Sequence, residues 1–470
     1  MRSLSCDLHL STPYLLGFAI ALVLGTTYEI SYFPAMCDEL RVFNMGAFSV
    51  GQIAAFLAVA FLSRRRSLTP KAIFSWWTIA VGVAGLAITQ FGLQRIGLIA
   101  WTLTGLGSFL WGAHRALLVL LWLELFTFVK ERDLIVFLSL SHLLSAVLSF
   151  LLSFLDSYLV VGAVLAVLAP ASYAAYVKSS IRFANYHLPK GSTPSGWSFP
   201  YRPVIFISVF MFVNEFVRSF LPSDVAVYVI AGPIAASLPL ALLAIFAFDR
   251  VSLGGLYRIS LPLLLGGVLC SFPVGAEFLA AFLTNAAYAL FEVFTTTLLC
   301  LIARRYSVDP FWLFGITEAA SDLAGVLGEM PSAAGVGISD FNAHAGSVIA
   351  LLVPALVYVF MTFLSSSDMS GAWGVRRETD DEGGAYLASG VCRDEEVCAK
   401  IARQFALTRR EEEVFALLAR RKTVPEIESE LFISGTTAKT HVQHIYKKLD
   451  IHNRQELQDL FRSFLEERRS

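Results

Sequence analysis

Near the C-terminus, Thr436, Lys439, Thr440, Gln443 and Lys447 share one face of a helical period. That face offers ammonium groups to reach phosphates, and hydroxyls and an amide to reach base edges in a major groove. Ala438, Val442, Ile445 and Leu449, spaced by four, three and four, mark the opposite, core-facing side. A second set of residues poses a different chemistry. Arg115, Glu215, Arg218, Glu292, Glu318 and Asp322 stand isolated within long apolar runs. Ionisable groups are expensive in hydrocarbon, so each is a candidate for ligand contact or for an ion pair that fixes helix register. Glu215 and Arg218, three apart, can pair with each other on one helix face. No Ser/His/Asp or Cys/His catalytic arrangement and no Gly-rich phosphate loop stands out. Cys392 and Cys398 have no matching Cys/His pair, so a zinc site is not expected. The expectation is a chain that is not an enzyme and holds no metal or cofactor.

The elements that carry these residues follow from composition. The chain has 470 residues, 56% of them hydrophobic and 16% charged, with mean hydropathy +0.64. Soluble domains carry about 25% charge, so an ordinary water-soluble enzyme and a disordered chain are both excluded. The charge is unevenly placed: Asp394–Ser470 holds 28 of the 73 charged residues. A bilayer core is about 30 Å thick and needs about 20 apolar residues per helix. The uncharged runs between Asp133 and Asp156 and between Asp156 and Lys178 meet this. Further stretches start near Tyr14, Asn44, Lys71, Ile96, Val204, Val225, Ile259, Phe278, Phe311 and Ser347, which makes twelve. Ile96–Val129, interrupted by His114, Arg115 and Glu124, reads as one long span or two short ones. The first stretch, Tyr14–Ile30, lacks a small-residue cleavage site and is expected to stay as a span.

Loop charge favours a single span there. With twelve spans, the loops after even-numbered spans hold fourteen Lys and Arg, including Arg64, Arg65, Arg66, Lys130, Arg132, Arg304 and Arg305. The alternate loops hold only Arg41 and Arg95. Cations accumulate on the cytoplasmic side, so both termini are expected in the cytoplasm. Lys178–Arg202, with Pro189, Gly191, Pro194 and Gly196, divides the spans six and six. Two six-helix halves joined this way resemble the major facilitator superfamily in layout. That resemblance implies that spans one, four, seven and ten line a central cavity, placing Arg115, Glu215, Arg218 and Glu292 around it. Between spans two and three the superfamily usually reads Gly-x-x-x-Asp-Arg-x-Gly-Arg-Arg. Here Ser63-Arg64-Arg65-Arg66-Ser67-Leu68-Thr69 keeps the basic cluster and lacks the glycines and the aspartate.

The organisation expected is a membrane bundle over 1–364, a flexible linker over 365–393 and a polar domain over 394–470. The linker's Ser365-Ser366-Ser367, Asp380-Asp381-Glu382 and Gly383-Gly384 have no hydrophobic period. Thr408-Arg409-Arg410-Glu411 has the form of a capping box, and Val414, Leu417 and Leu418 follow at helical spacing. Thr423-Val424-Pro425-Glu426 is a second box, Ser434 a cap for the third helix, and Asn453 the start of a fourth. A short helix, a tight turn and a helix with an exposed polar face make a helix-turn-helix.

Leu407-Thr408-x-Arg410-Glu411-x-Glu413-Val414, Glu426-Ile427, Leu431-Phe432-Ile433-Ser434-x-x-Thr437-x-Lys439-x-His441-Val442, Ile445-Tyr446-Lys447-Lys448-Leu449 and Asn453-Arg454-x-Glu456-Leu457 resemble the LuxR-type (GerE or FixJ) DNA-binding domain. The resemblance implies that Lys439, Thr440 and Gln443 approach bases, while Thr423, Thr436, His441 and Lys447 sit near the backbone. It also implies a dimer on double-stranded DNA, paired through the last helix. The chain departs from the family pattern at Arg421, Val424, Glu428 and Ala438, where Gly, Asn, Ala and Val are usual. The fold class expected is therefore all-α: a polytopic bundle of about twelve spans, six plus six, with a four-helix LuxR-type domain. Function follows as a membrane-embedded one-component transcription regulator whose bundle senses a small-molecule ligand or a membrane signal. A transporter carrying an appended regulatory domain is the alternative.

Overall fold

The computed structural model describes residues 16–32, 38–65, 76–129, 131–155, 157–183, 201–220, 226–248, 253–271, 275–306 and 308–333. Single positions at 68, 251, 353, 354, 356 and 357 join them, as do 401–402, 404–405, 407–419, 427, 435–451, 456–457, 460 and 464. The chain divides into two compact units, Met1–Val375 and Arg376–Ser470. It is all-α, with no strand among the described residues.

Eleven helices are described in the first unit. They are α1 (Gly17–Tyr32), α2 (Asp38–Arg65), α3 (Trp76–Leu93), α4 (Gly97–Phe126), α5 (Glu131–Leu152), α6 (Tyr158–Phe183), α7 (Tyr201–Ser219), α8 (Ala226–Phe246), α9 (Leu253–Cys270), α10 (Glu277–Tyr306) and α11 (Pro310–Ala333). These occupy the first eleven expected spans; the twelfth, from Ser347, lies largely outside the described residues. The ambiguous stretch is one helix of 30 residues, α4. Seven described helices are long and apolar enough to cross a bilayer on that ground alone. The α7 and α11 helices are not among them, and they carry Glu215, Arg218, Glu318 and Asp322.

Hydrocarbon has no partner for a free N–H or C=O, so spanning segments close their backbone bonds internally as helices. The same constraint explains the inverted surface. Large apolar side chains lie on the outside, among them Ile96, Leu98, Trp77, Phe246 and Ile181, each at least 70% exposed. Polar side chains turn inward and join helices. Asn44 on α2 donates to Thr104 Oγ1 on α4 at 3.2 Å and accepts from Ser108 Oγ at 2.8 Å. Trp122 on α4 donates to Ser172 Oγ on α6 at 3.1 Å, and Ser172 donates to Gly17 O on α1 at 2.9 Å. At the start of α11, Asp309 Oδ1 accepts from the Trp312 N–H at 3.0 Å. Pro310 occupies the first helical position, where no N–H is missed.

Packing repeats with a period of six helices. The α2 helix crosses α4, and α8 crosses α10; α3 packs on α4, and α9 on α10. The α1 helix meets α5 as α7 meets α11. The halves meet through α2 against α11 and α5 against α8. At the end carrying the basic loops, Arg132 on α5 donates to Ile245 O on α8 at 2.9 Å. Arg304 on α10 donates to Val129 O, in the turn after α4, at 3.1 Å. Each thus binds one half to a backbone carbonyl of the other, while Trp122, Phe126 and Phe206 lie fully buried.

The α2–α4 crossing needs glycine on both sides. A Cβ on Gly51 would fall on the Phe109 carbonyl, and one on Gly112 on the Phe48 carbonyl. Their counterpart in the second half is Gly232 on α8, where a Cβ would meet Phe282 O on α10. Backbones at such contacts cannot yield as flexible side chains do, and small residues let membrane helices approach this closely.

The second unit has its own core, with Ile401, Val414, Phe415, Leu418, Ile427, Ile445, Leu449 and Leu457 buried. Two helices are described: α12 (Arg409–Ala419) and α13 (Gly435–Leu449). The capping box forms as expected. Glu411 Oε2 accepts from Thr408 N–H at 2.8 Å, and Thr408 Oγ1 accepts from Glu411 N–H at 3.4 Å. The α13 helix ends with Asp450 at φ 54 and the Ile451 N–H donating to Tyr446 O at 3.0 Å. This is a Schellman closure, with the Ile451 side chain buried beneath it.

Two predictions follow from this packing. Gly51→Val forces α2 and α4 apart and should destabilise the purified bundle by about 1–3 kcal/mol or more, read as a lowered thermal midpoint in detergent; an unchanged midpoint would refute the close crossing. The second concerns Glu411, only 5% exposed. Burial acts to raise its carboxyl, but the Lys448 ammonium and the two Thr408 donors outweigh it and hold the group at about 2. A depressed folded value stabilises above the unfolded value and loses that contribution as pH falls through the folded one. Thermal midpoints of the C-terminal unit should therefore fall progressively from about pH 4.5 towards pH 2, and fall less in Glu411→Gln. Parallel profiles for the two proteins would contradict the assignment.

Candidate DNA-binding face and membrane chamber

The amphipathic pattern of α13 settles which side of it meets solvent. Ile445 and Leu449 are buried in the unit's core, and Val442 packs against it. Lys439, Thr440, Gln443 and Lys447 are exposed, and His441 is half-buried. Lys439, Thr440, Gln443 and Lys447 therefore lie away from the core, on the side left for a partner, whereas His441, one turn before the buried Ile445, lies at the edge of the core-facing side. Thr436 lies in α13, but its side chain is not described; Thr423 lies outside the described residues.

Lys448 has a different part, which sequence reasoning missed. Its Nζ donates to Glu411 Oε2 at 2.7 Å, across 37 residues of chain. His444 Nδ1 lies 3.9 Å from the other oxygen of the same carboxylate. Glu411 thus caps α12 and anchors the end of α13, fixing the angle between the two helices. In sequence Lys447 and Lys448 are adjacent and alike; in the fold both are exposed, and the Lys448 ammonium folds back onto the buried Glu411 carboxylate. The signal available was Glu411 at the third helical position, whose capping role leaves a carboxylate beside whatever packs there.

In the first unit, α1, α2, α4, α5, α7, α8, α10 and α11 line a partly open chamber of about 210 Å³. Of the six expected membrane residues, Arg115, Glu215, Arg218, Glu292 and Asp322 line it. Glu318 is on α11, one turn before Asp322, and is not in the lining. The expected pairing exists: Arg218 Nη1 is 3.4 Å from Glu215 Oε2. Both partners also face the chamber, so pairing and ligand contact are compatible here. Glu292 Oε2 lies 3.6 Å from His142 Nε2 on α5. Arg115 donates to Gln52 Oε1 on α2. Gly25 on α1 leaves the space its guanidinium fills, since a Cβ there would strike Nε and Cζ.

Gln52, His142, Asn214, Asn285 and Tyr288 also line the chamber and were not anticipated. None of them is Asp, Glu, Lys or Arg, and attention to those four residue types alone passes over such side chains. The chamber lies towards the ends of α5, α7 and α11 that are remote from the arginine contacts at Val129 and Ile245. Among the described residues no group of His, Cys, Asp and Glu is placed to hold a metal ion.

Comparison with known proteins bears on each unit separately. The family model described as bacterial regulatory proteins, luxR family (GerE), matches residues 406–461. Among solved structures, a bacterial homologue of the iron transporter ferroportin in its outward-facing state aligns with TM-score 0.53 at 12% identity, over 76% of this chain and 99% of that one. The Major Facilitator Superfamily transporter FucP in its outward conformation aligns with TM-score 0.45 at 12% identity, over 75% of this chain and 99% of that one. No curated protein sequence matches the chain. At such identity the first of these structures speaks to fold alone. Residues 406–461 are thus a LuxR-type helix-turn-helix DNA-binding domain, carried on a multi-pass membrane domain with a transporter-like fold.

Proposed function

We propose that the chain is a membrane-embedded one-component transcription regulator, reading DNA through α13 and sensing a small molecule or membrane condition through the bundle. The observation that carries the first half is the exposed Lys439, Thr440, Gln443 and Lys447 face, set opposite the buried Ile445 and Leu449, in a domain matched to the luxR family. In this reading both termini lie in the cytoplasm of a bacterial inner membrane, as the fourteen-to-two loop asymmetry favours. The domains pair on a duplex through the last helix. Residues 1–364 sense, 365–393 tether and 394–470 bind DNA. No cofactor and no catalysis are required.

The coupling is energetic. A ligand shifts the bundle only by the difference in its affinity for two arrangements of the halves. The contacts of Arg132 with Ile245 O and of Arg304 with Val129 O join the halves at one end. They are the bonds that a second arrangement has to break.

The chamber also supports the transporter alternative, since it is lined from both halves. Against this stands the loop Ser63–Thr69, without the glycines and aspartate usual in that superfamily. Uptake of a labelled solute into vesicles, abolished by Arg115→Ala or Glu292→Ala, would favour transport.

The DNA reading is tested with the full-length chain in nanodiscs and fragments from its own genomic neighbourhood. Lys447→Ala should weaken binding about equally on all sequences and reduce the salt slope by about 1. Gln443→Ala should instead relax discrimination at one base pair by about 1–3 kcal/mol. Absence of binding to every such fragment, with the domain folded, would overturn the proposal.

A further inference from the structure

Two charges of opposite sign in the chamber wall meet only weak compensation. Arg115 on α4 is half-buried and lines the chamber. Among the described residues its one hydrogen bond goes to the neutral amide of Gln52. Glu318 acts on it electrostatically, but no ion pair joins them among the described residues, and Glu318 is outside the lining. Glu292 on α10 keeps 25% of its side chain exposed. Its neighbour His142 is 3.6 Å away, too far for a good hydrogen bond, and is a cation only when protonated. No Lys or Arg pairs with Glu292 among the described residues. The other charged groups of the lining are engaged: Glu215 and Arg218 pair at 3.4 Å, and Asp322 and Glu329 have interactions of their own.

Arg115 and Glu292 lie in the same part of the chamber. Both act electrostatically on the hydroxyl of Tyr288, which stands one turn before Glu292 and also lines the wall. They come from different halves, since α4 is among the first six helices and α10 among the later ones, and the two helices touch. An unmatched charge in a bundle surrounded by hydrocarbon is unfavourable, and a ligand group of opposite sign offsets it. A guanidinium donates to a carboxylate through two parallel N–H groups, and an ammonium donates to a carboxylate in a bond of similar strength. A ligand with one charge answers one of these residues. A ligand with both answers the two.

We infer that the chamber binds a small zwitterion of the amino-acid type, its carboxylate on Arg115 and its ammonium on Glu292. Leu22, Ala146, Met211, Ile230 and Val326 supply apolar wall for its body. A cavity of about 150 Å³ accommodates benzene, so about 210 Å³ admits a small branched side chain beside the two charged groups. Because the anchors belong to different halves, the ligand favours the arrangement that brings them together, which is the differential affinity that sensing needs. The inference names the ligand class for the sensing half of the proposed function and rests on that reading.

Valine, 3-methylbutanoate and 2-methylpropylammonium share a branched body and carry, in turn, both charges, the carboxylate alone and the ammonium alone. Thermal unfolding of the full-length chain in detergent at neutral pH is followed with each at the same millimolar concentrations. Valine should raise the midpoint saturably, and the two singly charged probes should not. Arg115→Gln and Glu292→Gln should each weaken the apparent affinity for valine roughly tenfold or more. Glu292→Gln should close the gap between valine and 3-methylbutanoate, and Arg115→Gln the gap between valine and 2-methylpropylammonium. A general loosening of the fold would not produce that crossed pattern, and if one variant fails to fold the other still tests its half of the site. Shifts as large from either singly charged probe as from valine, or none from any, would overturn the inference. An unchanged valine response in both variants would overturn it as well. DNA binding is measured separately in the nanodisc experiment, so absence of a valine response with DNA binding intact sinks this inference and leaves the regulator reading standing.

Discussion

A hydrocarbon interior gives a polar atom nothing to bond to, and the membrane unit is arranged around that fact. Backbone groups close on themselves in helices, so the only irregular chain described there is in short turns. Side chains that can form bonds collect inside, where Asn44, Thr104 and Ser108, or Trp122 and Ser172, link neighbouring helices. Where the helices pull back from one another, the ionisable residues gather around a chamber instead of dispersing into lipid. Glu215 with Arg218, Glu292 with His142, and Arg115 with Gln52 are local answers to the same constraint.

The C-terminal unit meets the opposite solvent with different means. Its core is small, and a single carboxylate does several jobs. Glu411 completes a capping box, accepts the Lys448 ammonium and lies within reach of His444. Helix α13 is thereby held at its far end, and the Schellman closure at Asp450 stops it one residue after Leu449. The exposed face is presented by a helix whose position is fixed by bonds that do not involve that face. Recognition residues can then vary without loss of the scaffold.

Much of this was legible in the sequence because the two solvents impose different patterns. Apolar runs of spanning length marked the helices, and the single helix α4 agrees with the loop-charge argument that rejected two short spans there. The capping box at Thr408–Glu411 and the spacing of Val442, Ile445 and Leu449 described local structure that the domain needs whatever its context. Long-range partners were not legible. Nothing local in Lys448 says that it will reach Glu411, and nothing in Gly51 says that it will lie on the Phe109 carbonyl. The amides of the chamber, Gln52 and Asn214 among them, were hidden because an amide in an apolar helix is an ordinary occurrence until its neighbours are known.

The account joins a lipid-embedded bundle to a DNA-reading domain in one molecule, and that union stands or falls on which side of the membrane the domain occupies. A pair of reporters fused after Ser470, one active only in the cytoplasm and one active only outside it, measures this directly. The account predicts activity from the cytoplasmic reporter alone. Activity from the outer reporter alone would place the α13 face beyond reach of the chromosome and contradict it.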